Sequence, residues 1–284
     1  MKISHRLQTA LLIMTLAALL SLLGYVLGGA TGARLALVVA VLGFALTPAI
    51  SPALVMAGAK PLAPEQAPGL YTILARLARR AGLETVPTLY FLPSGQPNAF
   101  AFGNGAEAAI GITRGLASAL TSREMAGILS HEITHIKNND TQIMALSAVF
   151  GRLISLLSLA GQMTLIVCLP LVLSGMMQVS LLLLLALAAA PWLSMLLFQA
   201  LSRTREFEAD LGSVTLLNDP SALVSALIKV ENFQRSALRR FLPYIRRPDP
   251  MWLSHPPTEE RIRRLMAHAP KRRTGMADGW IMGV

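Results

Sequence analysis

Hydrophobic and polar positions along the chain of 284 residues fall into long blocks rather than a fine alternation. Residues 7–33 contain no Asp, Glu, Lys, Arg or His, residues 35–59 contain none either, and residues 153–202 form a third uncharged block of 50. A bilayer core takes about 20 apolar residues per helix, so the first two blocks hold one span each and the third holds two. The pattern predicts four transmembrane helices, near 8–28, 36–57, 153–174 and 179–201. Lys2 and Arg6 precede the first block as in a secretory signal, but the block is longer than a typical h-region and lacks a convincing cleavage motif.

Outside these blocks the periodicity changes. After the Pro-rich "KPLAPEQAPG", Leu70, Ile73, Leu74 and Leu77 recur at helical spacing, and Gly82 ends that helix. In "TVPTLYFLPSGQPNAFAFGNGAEAAIGIT", β-branched and aromatic residues broken by Pro and Gly read as two or three short strands. Thr121, with Glu124 three residues on, makes a capping box that opens a further helix. The expected fold class is a mainly α, multi-pass membrane protein with four transmembrane helices and a composite α+β polar domain containing a small sheet. Its expected organisation is two spans in 1–59, a polar segment in 60–152, two more spans in 153–202, and a second polar segment, 203–284, that completes the first.

Composition agrees with this reading and narrows it. Apolar residues make up 54% of the chain and charged residues 14%, which is not the balance of a soluble globule. A net charge of +10 raises the question of nucleic acid. The basic residues sit mostly in polar segments beside the spans and in "KRR" at 271–273, where topology and anionic headgroups explain them more simply, so no nucleic acid partner is expected. Lys2 and Arg6 precede the first span, the first hairpin loop has only Arg34, and "SGMMQ" between the last two spans has no charge. The positive-inside bias then places both termini and the long polar segment in the cytoplasm. The single Cys168 lies inside the third span, so neither an intramolecular disulfide nor a cysteine metal site is available.

Candidate chemistry is concentrated in "ILSHEITHIKNND", residues 128–140. Residues four apart on a helix share a face, so His131 and His135 can present imidazole nitrogens to one ion. Glu132 is turned about 100° away, beside the ion but off the ligand axis. This is the H-E-x-x-H arrangement of zinc peptidases. A catalytic zinc takes three protein ligands and keeps one position open. His5, His255 and His268 are the other histidines, and no cysteine is suitably placed, which points to a carboxylate. "LSRTREFEADLGS" offers Glu206 and Asp210 on one face, with Glu208 pointing roughly the opposite way. Glu206 is assigned as the third ligand, and Asp210 as the acceptor of a ligating histidine's far N–H. Asp140 is a rival ligand or orienting group, ranked below Glu206 because a fifth-residue offset on the same helix turns it away.

"HEITHIKNND", "SRTREFEAD" and "LSHPPTEERIRRL", in that order and with two apolar hairpins flanking the first polar segment, resemble the HtpX family of membrane-integrated zinc metalloproteases, relatives of the CAAX prenyl proteases. The resemblance covers nearly the whole chain. It implies a zincin-like cytoplasmic domain holding one Zn2+ on His131, His135 and Glu206, with Glu132 as general base. "PNAFA" at 97–101 resembles the edge strand that pairs with substrate, or its lead-in, which makes Asn98, Ala99 and Phe100 substrate-binding candidates; an ordinary turn before a buried aromatic is the alternative. His255 corresponds to a histidine that donates to the developing oxyanion, with a structural role at the Pro256–Pro257 turn as the alternative. The implied role is endopeptidase action on misfolded or membrane proteins, in quality control and stress response at a bacterial or archaeal inner membrane.

In such a site zinc polarises the scissile carbonyl and brings the pKa of its water toward about 7. Glu132 accepts the proton and delivers it to the leaving amine. Glu206 lies about 6 Å along a helix from Ser202, which puts the metal close to the membrane surface and favours membrane proteins as substrates. "IKNNDTQIMALSAVFGR", 136–152, must then fold back or pack along the interface. A catalytically silent zinc scaffold or chaperone is the alternative, and the intact Glu132 speaks against it. Transport is a further alternative, but the last apolar block carries polar Gln162, Gln178 and Gln199 with Pro170 and Pro191 and no ionisable group, a set that helix packing and kinks account for.

Overall fold

The computed structural model describes residues 5–46, 59–241 and 256–268. The first helix, α1, spans His5–Leu46 and leaves helical geometry at Gly28 and Gly29, the latter at φ 60°. Lacking a Cβ, Gly29 takes that left-handed conformation without steric cost. In a straight helix residues 24 and 32 stand about 12 Å apart, yet a Cβ on Gly24 would lie 2.7 Å from the Gly32 carbonyl oxygen. The segment therefore folds back as a hairpin whose arms meet backbone to backbone. Its turn falls at Gly28–Gly29, at the start of the loop expected between spans 8–28 and 36–57, and Arg34 already belongs to the second arm. The second expected span, 36–57, is helical to Leu46, and the rest of it lies outside the described residues.

A polar layer follows: β1 (Lys60–Pro61), α2 (Pro68–Ala81), β2 (Thr88–Leu92), β3 (Ala99–Phe102), β4 (Ala109–Thr113), α3 (Arg114–Ala119) and α4 (Ser122–Lys137). Gly82 ends α2 at φ 76°, its N–H returning to Ala78 and Arg79 carbonyls. The sheet order is β1-β2-β4-β3, with β2 and β4 parallel and the other pairs antiparallel. Because strand side chains alternate, Leu89, Ile110 and Ile112 meet Leu74 and Leu77 of α2 and Leu129 and Ile133 of α4 in one core. On the opposite face Phe100 and Phe102 group with Tyr90. β3 ends the sheet, so among the described residues it is an edge strand.

At the end of α4, Asn138 and Asn139 turn the chain, the latter at φ 55°, a conformation asparagine tolerates better than most residues. α5 (Asp140–Val167) then starts at once. The fold-back expected somewhere in 136–152 is made in these two residues, and the remainder is already α5. A short α6 (Leu169–Leu173) leads to α7 (Leu181–Leu217), which runs unbroken through Ser202. Helices thus cross both expected polar–apolar boundaries, 152/153 and 202/203. α8 (Pro220–Phe241) and α9 (Thr258–Ala267) complete the polar layer.

The protein is mainly helical with a small mixed sheet, and three stretches, Leu7–Leu42, α5 and α7, are long and apolar enough to cross a membrane. They share a core in which Leu16, Leu20 and Leu23 meet Ile154, Leu187 and Ala190. Pro191 has no N–H to offer the carbonyl four residues back, so Leu187 O is open. The Ser158 hydroxyl and, at 3.0 Å, Gln162 Nε2 donate to it from α5. These polar groups join helix to helix, the packing role expected for Gln162 and Pro191.

Candidate metal centre

Four helices, α4, α5, α7 and α9, supply the centre. α4 is anchored at its start by the expected capping box: the Thr121 side chain accepts from Glu124 N–H, and the Glu124 carboxylate accepts from Thr121 N–H at 2.8 Å. Two to three turns later the same helix presents His131 and His135 one above the other, their rings nearly perpendicular at 89°. The two Nε2 atoms are 3.1 Å apart. From α7, Glu206 brings Oε2 to 3.5 Å from His131 Nε2 and Oε1 to 3.8 Å from His135 Nε2.

The far nitrogen of each ring faces a different carboxylate. His131 Nδ1 lies 3.1 Å from Asp210 Oδ1, and His135 Nδ1 lies 2.8 Å from Asp140 Oδ2. Asp140 accepts from His135 and holds its proton on Nδ1, and the charge of Asp210 favours the same tautomer in His131 although its oxygen lies off the N–H direction; both Nε2 lone pairs then point at one spot that the Glu206 oxygens also face. Three electron-pair donors converging in a buried place repel one another unless a cation lies between them. Bonds of about 2.0–2.1 Å in tetrahedral geometry separate zinc ligands by about 3.3 Å, which is the scale of the separations found. The residues therefore fit a divalent metal, and imidazole with carboxylate suits zinc. The same field acts on a proton: burial pulls the His131 imidazole down, but Asp210 and Glu206 outweigh burial and lift it to about 10.

Asp140 takes the orienting role rather than the ligand role. It does not share a helix with the histidines, because the break at Asn138–Asn139 intervenes; as the first residue of α5 it points back at His135. Glu208 turns away, as expected, and pairs with Arg205 at 2.8 Å. Two arginines complete the centre, and neither was singled out by sequence reasoning. Arg261 of α9 donates to both Asp210 oxygens at 2.9 and 2.7 Å and lies 3.4 Å from Glu206 Oε2. Arg205 of α7 reaches Asp140 Oδ1 at 3.3 Å. A signal for Arg261 was present: it sits four residues before the fully buried Leu265, on the apolar face of an amphipathic helix, where a cation needs a partner.

Beside the ligands opens a cleft of about 150 Å³, lined among others by Glu132, Asn98, Ala99, Pro256 and Arg261. Glu132 is buried like His131, while His135 is half-buried, and Glu132 faces this space. Asn98 is fixed to the end of β4, its N–H donating to Thr113 Oγ1 at 2.8 Å. Phe100 does not line the cleft, because strand alternation sends it to the other face of the sheet. His255 lies outside the described residues.

Residues 64–269 match the model of Peptidase family M48. Among curated relatives, a protein named Protease HtpX homolog from Pelotomaculum thermopropionicum is 35% identical, over 93% of this chain and 99% of the relative. Proteins of the same name from Pyrococcus abyssi and Methylibium petroleiphilum are 34% and 32% identical, over 91% and 93% of this chain and 94% and 98% of their own lengths.

Proposed function

This chain belongs to peptidase family M48, among its HtpX members, and from that membership we propose that it is a membrane-integrated zinc endopeptidase. The observation that carries the proposal is the convergence of His131, His135 and Glu206 on one point beside a cleft that Glu132 faces. These three residues hold the ion. A bound zinc supplies Lewis-acid polarisation of the scissile carbonyl and makes a water molecule more acidic. Glu132 takes the proton from that water and hands it to the leaving amine. Asp210 and Asp140 favour the histidine protons on Nδ1; Arg261 helps hold Asp210 below the usual carboxylate range, and Arg205 pairs with Asp140.

Substrate backbone lies along the free edge of β3, adding a strand to the sheet, with Asn98 and Ala99 at the cleft. Pro256 lines the same cleft, which supports the preceding His255 as donor to the developing oxyanion. The α1 hairpin, α5 and α7 together give four spans, with the polar layer and both termini on the cytoplasmic side. Thr9, near the start of α1, touches Arg205 beside the centre, which supports a shared side. Substrates are misfolded or membrane proteins met in quality control.

Glu132→Gln tests the assignment. It is expected to keep one zinc per chain while proteolysis falls about 10²–10⁴-fold, the range general-base catalysis contributes. A chelator should abolish wild-type cleavage and added zinc restore it. Undiminished cleavage by the Gln variant would remove Glu132 from the chemistry.

A further inference from the structure

On the membrane side of the centre, α5 and α7 enclose an open groove of about 760 Å³. α5 contributes Ser147, Gly151 and Ser155 to it, and α7 contributes Pro191, Met195 and Phe198. Helical positions separated by three or four residues lie on one face. From Asp140 such steps lead through Met144 to Ser147, Gly151 and Ser155. From Glu206 they lead back through Ser202 to Phe198, Met195 and Pro191. The two faces that carry carboxylates of the metal centre are therefore the two faces that line the groove. Along the helices, Ser147 is about 10 Å from Asp140 and Phe198 about 12 Å from Glu206.

Among the described residues nothing accounts for Gly151. A glycine inside a helix costs about 0.5–1 kcal/mol relative to alanine and is usually explained by a neighbour that approaches closely. A Cβ added at Gly151 would meet nothing within 4 Å. Small residues at four-residue spacing on a membrane helix admit a second helix, and no described residue fills the place here. Arg152, at the rim, is the sole charged residue between Thr141 and Ser202 and is exposed. A lone arginine in such a run extends to the headgroups. The groove thus lies where a spanning segment leaves the bilayer.

We propose that this groove docks the transmembrane segment of a substrate, holding its last turns so that the residues just outside the membrane reach the cleft. The proposal rests on the peptidase reading of the centre. An acyl chain also suits an apolar groove, but a lipid gains nothing from alignment with the two faces that carry the centre's carboxylates, whereas a substrate does.

Gly151→Leu projects a side chain into the groove from a position where an added Cβ meets no described atom within 4 Å. In liposomes, the preference for a single-span substrate over unfolded casein, as a ratio of kcat/KM values, should fall by about tenfold or more. An unchanged ratio overturns the proposal. A photo-crosslinking residue at Leu156, on the groove wall, carried by the Glu132→Gln protein, should capture the substrate's spanning segment; capture of phospholipid alone, or of nothing, also overturns it. Crosslinking needs no turnover. Capture by a protein whose wild-type form hydrolyses neither casein nor the single-span substrate would sink the peptidase reading and leave the docking site standing.

Discussion

At the scale of residues, the centre consists of two parallel relays, each running from arginine to aspartate to the histidine's Nδ1. Asp210 is held by Arg261, and Asp140 by Arg205. A charged aspartate on Nδ1 fixes the tautomer that leaves the Nε2 lone pair for the ion. Asp140→Ala removes one orienting partner without touching a ligand, so zinc affinity should fall about 10–100-fold, as read by competition with a chromophoric chelator. Unchanged affinity would mean that packing alone holds the His135 ring. That His131, His135 and Glu206 come together was legible in the sequence because each candidate pair sits four apart on one helix: His131 with His135, and Glu206 with Asp210. Asp140 stays behind Glu206 as a ligand, but not for the reason expected: its offset was counted along a helix that stops at Asn138, and from the next helix it faces His135. The partners of Arg261 were not legible, since they lie about fifty residues back and the contact exists only once α9 packs on α7.

Among the elements, the link between α4 and α8 depends most on one side chain. Glu124 caps α4 and also accepts from Ser225 at 2.6 Å and Lys229 at 2.7 Å on α8. Burial pushes its carboxyl up, but Lys229, Ser225 and Thr121 outweigh burial and bring it from 4.5 down to about 2. A folded-state pKa below the ordinary value stabilises the fold fully above pH 4.5, and that stabilisation drains away as pH falls toward about 2. Glu124→Gln should therefore be less stable than wild type at neutral pH, with the gap closing across that acid window, as measured by thermal unfolding in detergent. A gap that stays constant with pH would show that the carboxylate's charge is not what matters. The capping box was readable because its two residues are three apart, and so was the Gly82 stop. The lengths of α5 and α7 were not, because charged residues were taken to end the spans, whereas these helices carry their charges outward into the centre.

Those two continuous helices decide how the molecule behaves as a whole. No hinge or loop separates the membrane core, where Leu16 and Leu20 meet Ile154 and Leu187, from the centre that Asp140 and Glu206 reach at the ends of the same helices. Arg205 adds a cross-link, donating to Thr9 of α1 at 2.5 Å while it holds Asp140. An ion bound between α4 and α7 should consequently stabilise the membrane half as well as the polar half, because neither can unfold without carrying α5 or α7 along. A ligand that binds only the folded state at about 100 times its Kd adds about 2.7 kcal/mol. Trp192 reports the membrane half, and with Trp252 and Trp280 replaced by Phe its fluorescence is unmixed. Saturating zinc should raise the Trp192 melting midpoint in step with the loss of helical circular dichroism, and chelation should lower both. A Trp192 midpoint indifferent to zinc would mean that the two halves melt separately, and the continuity of α5 and α7 would then carry no cooperative free energy between membrane and metal.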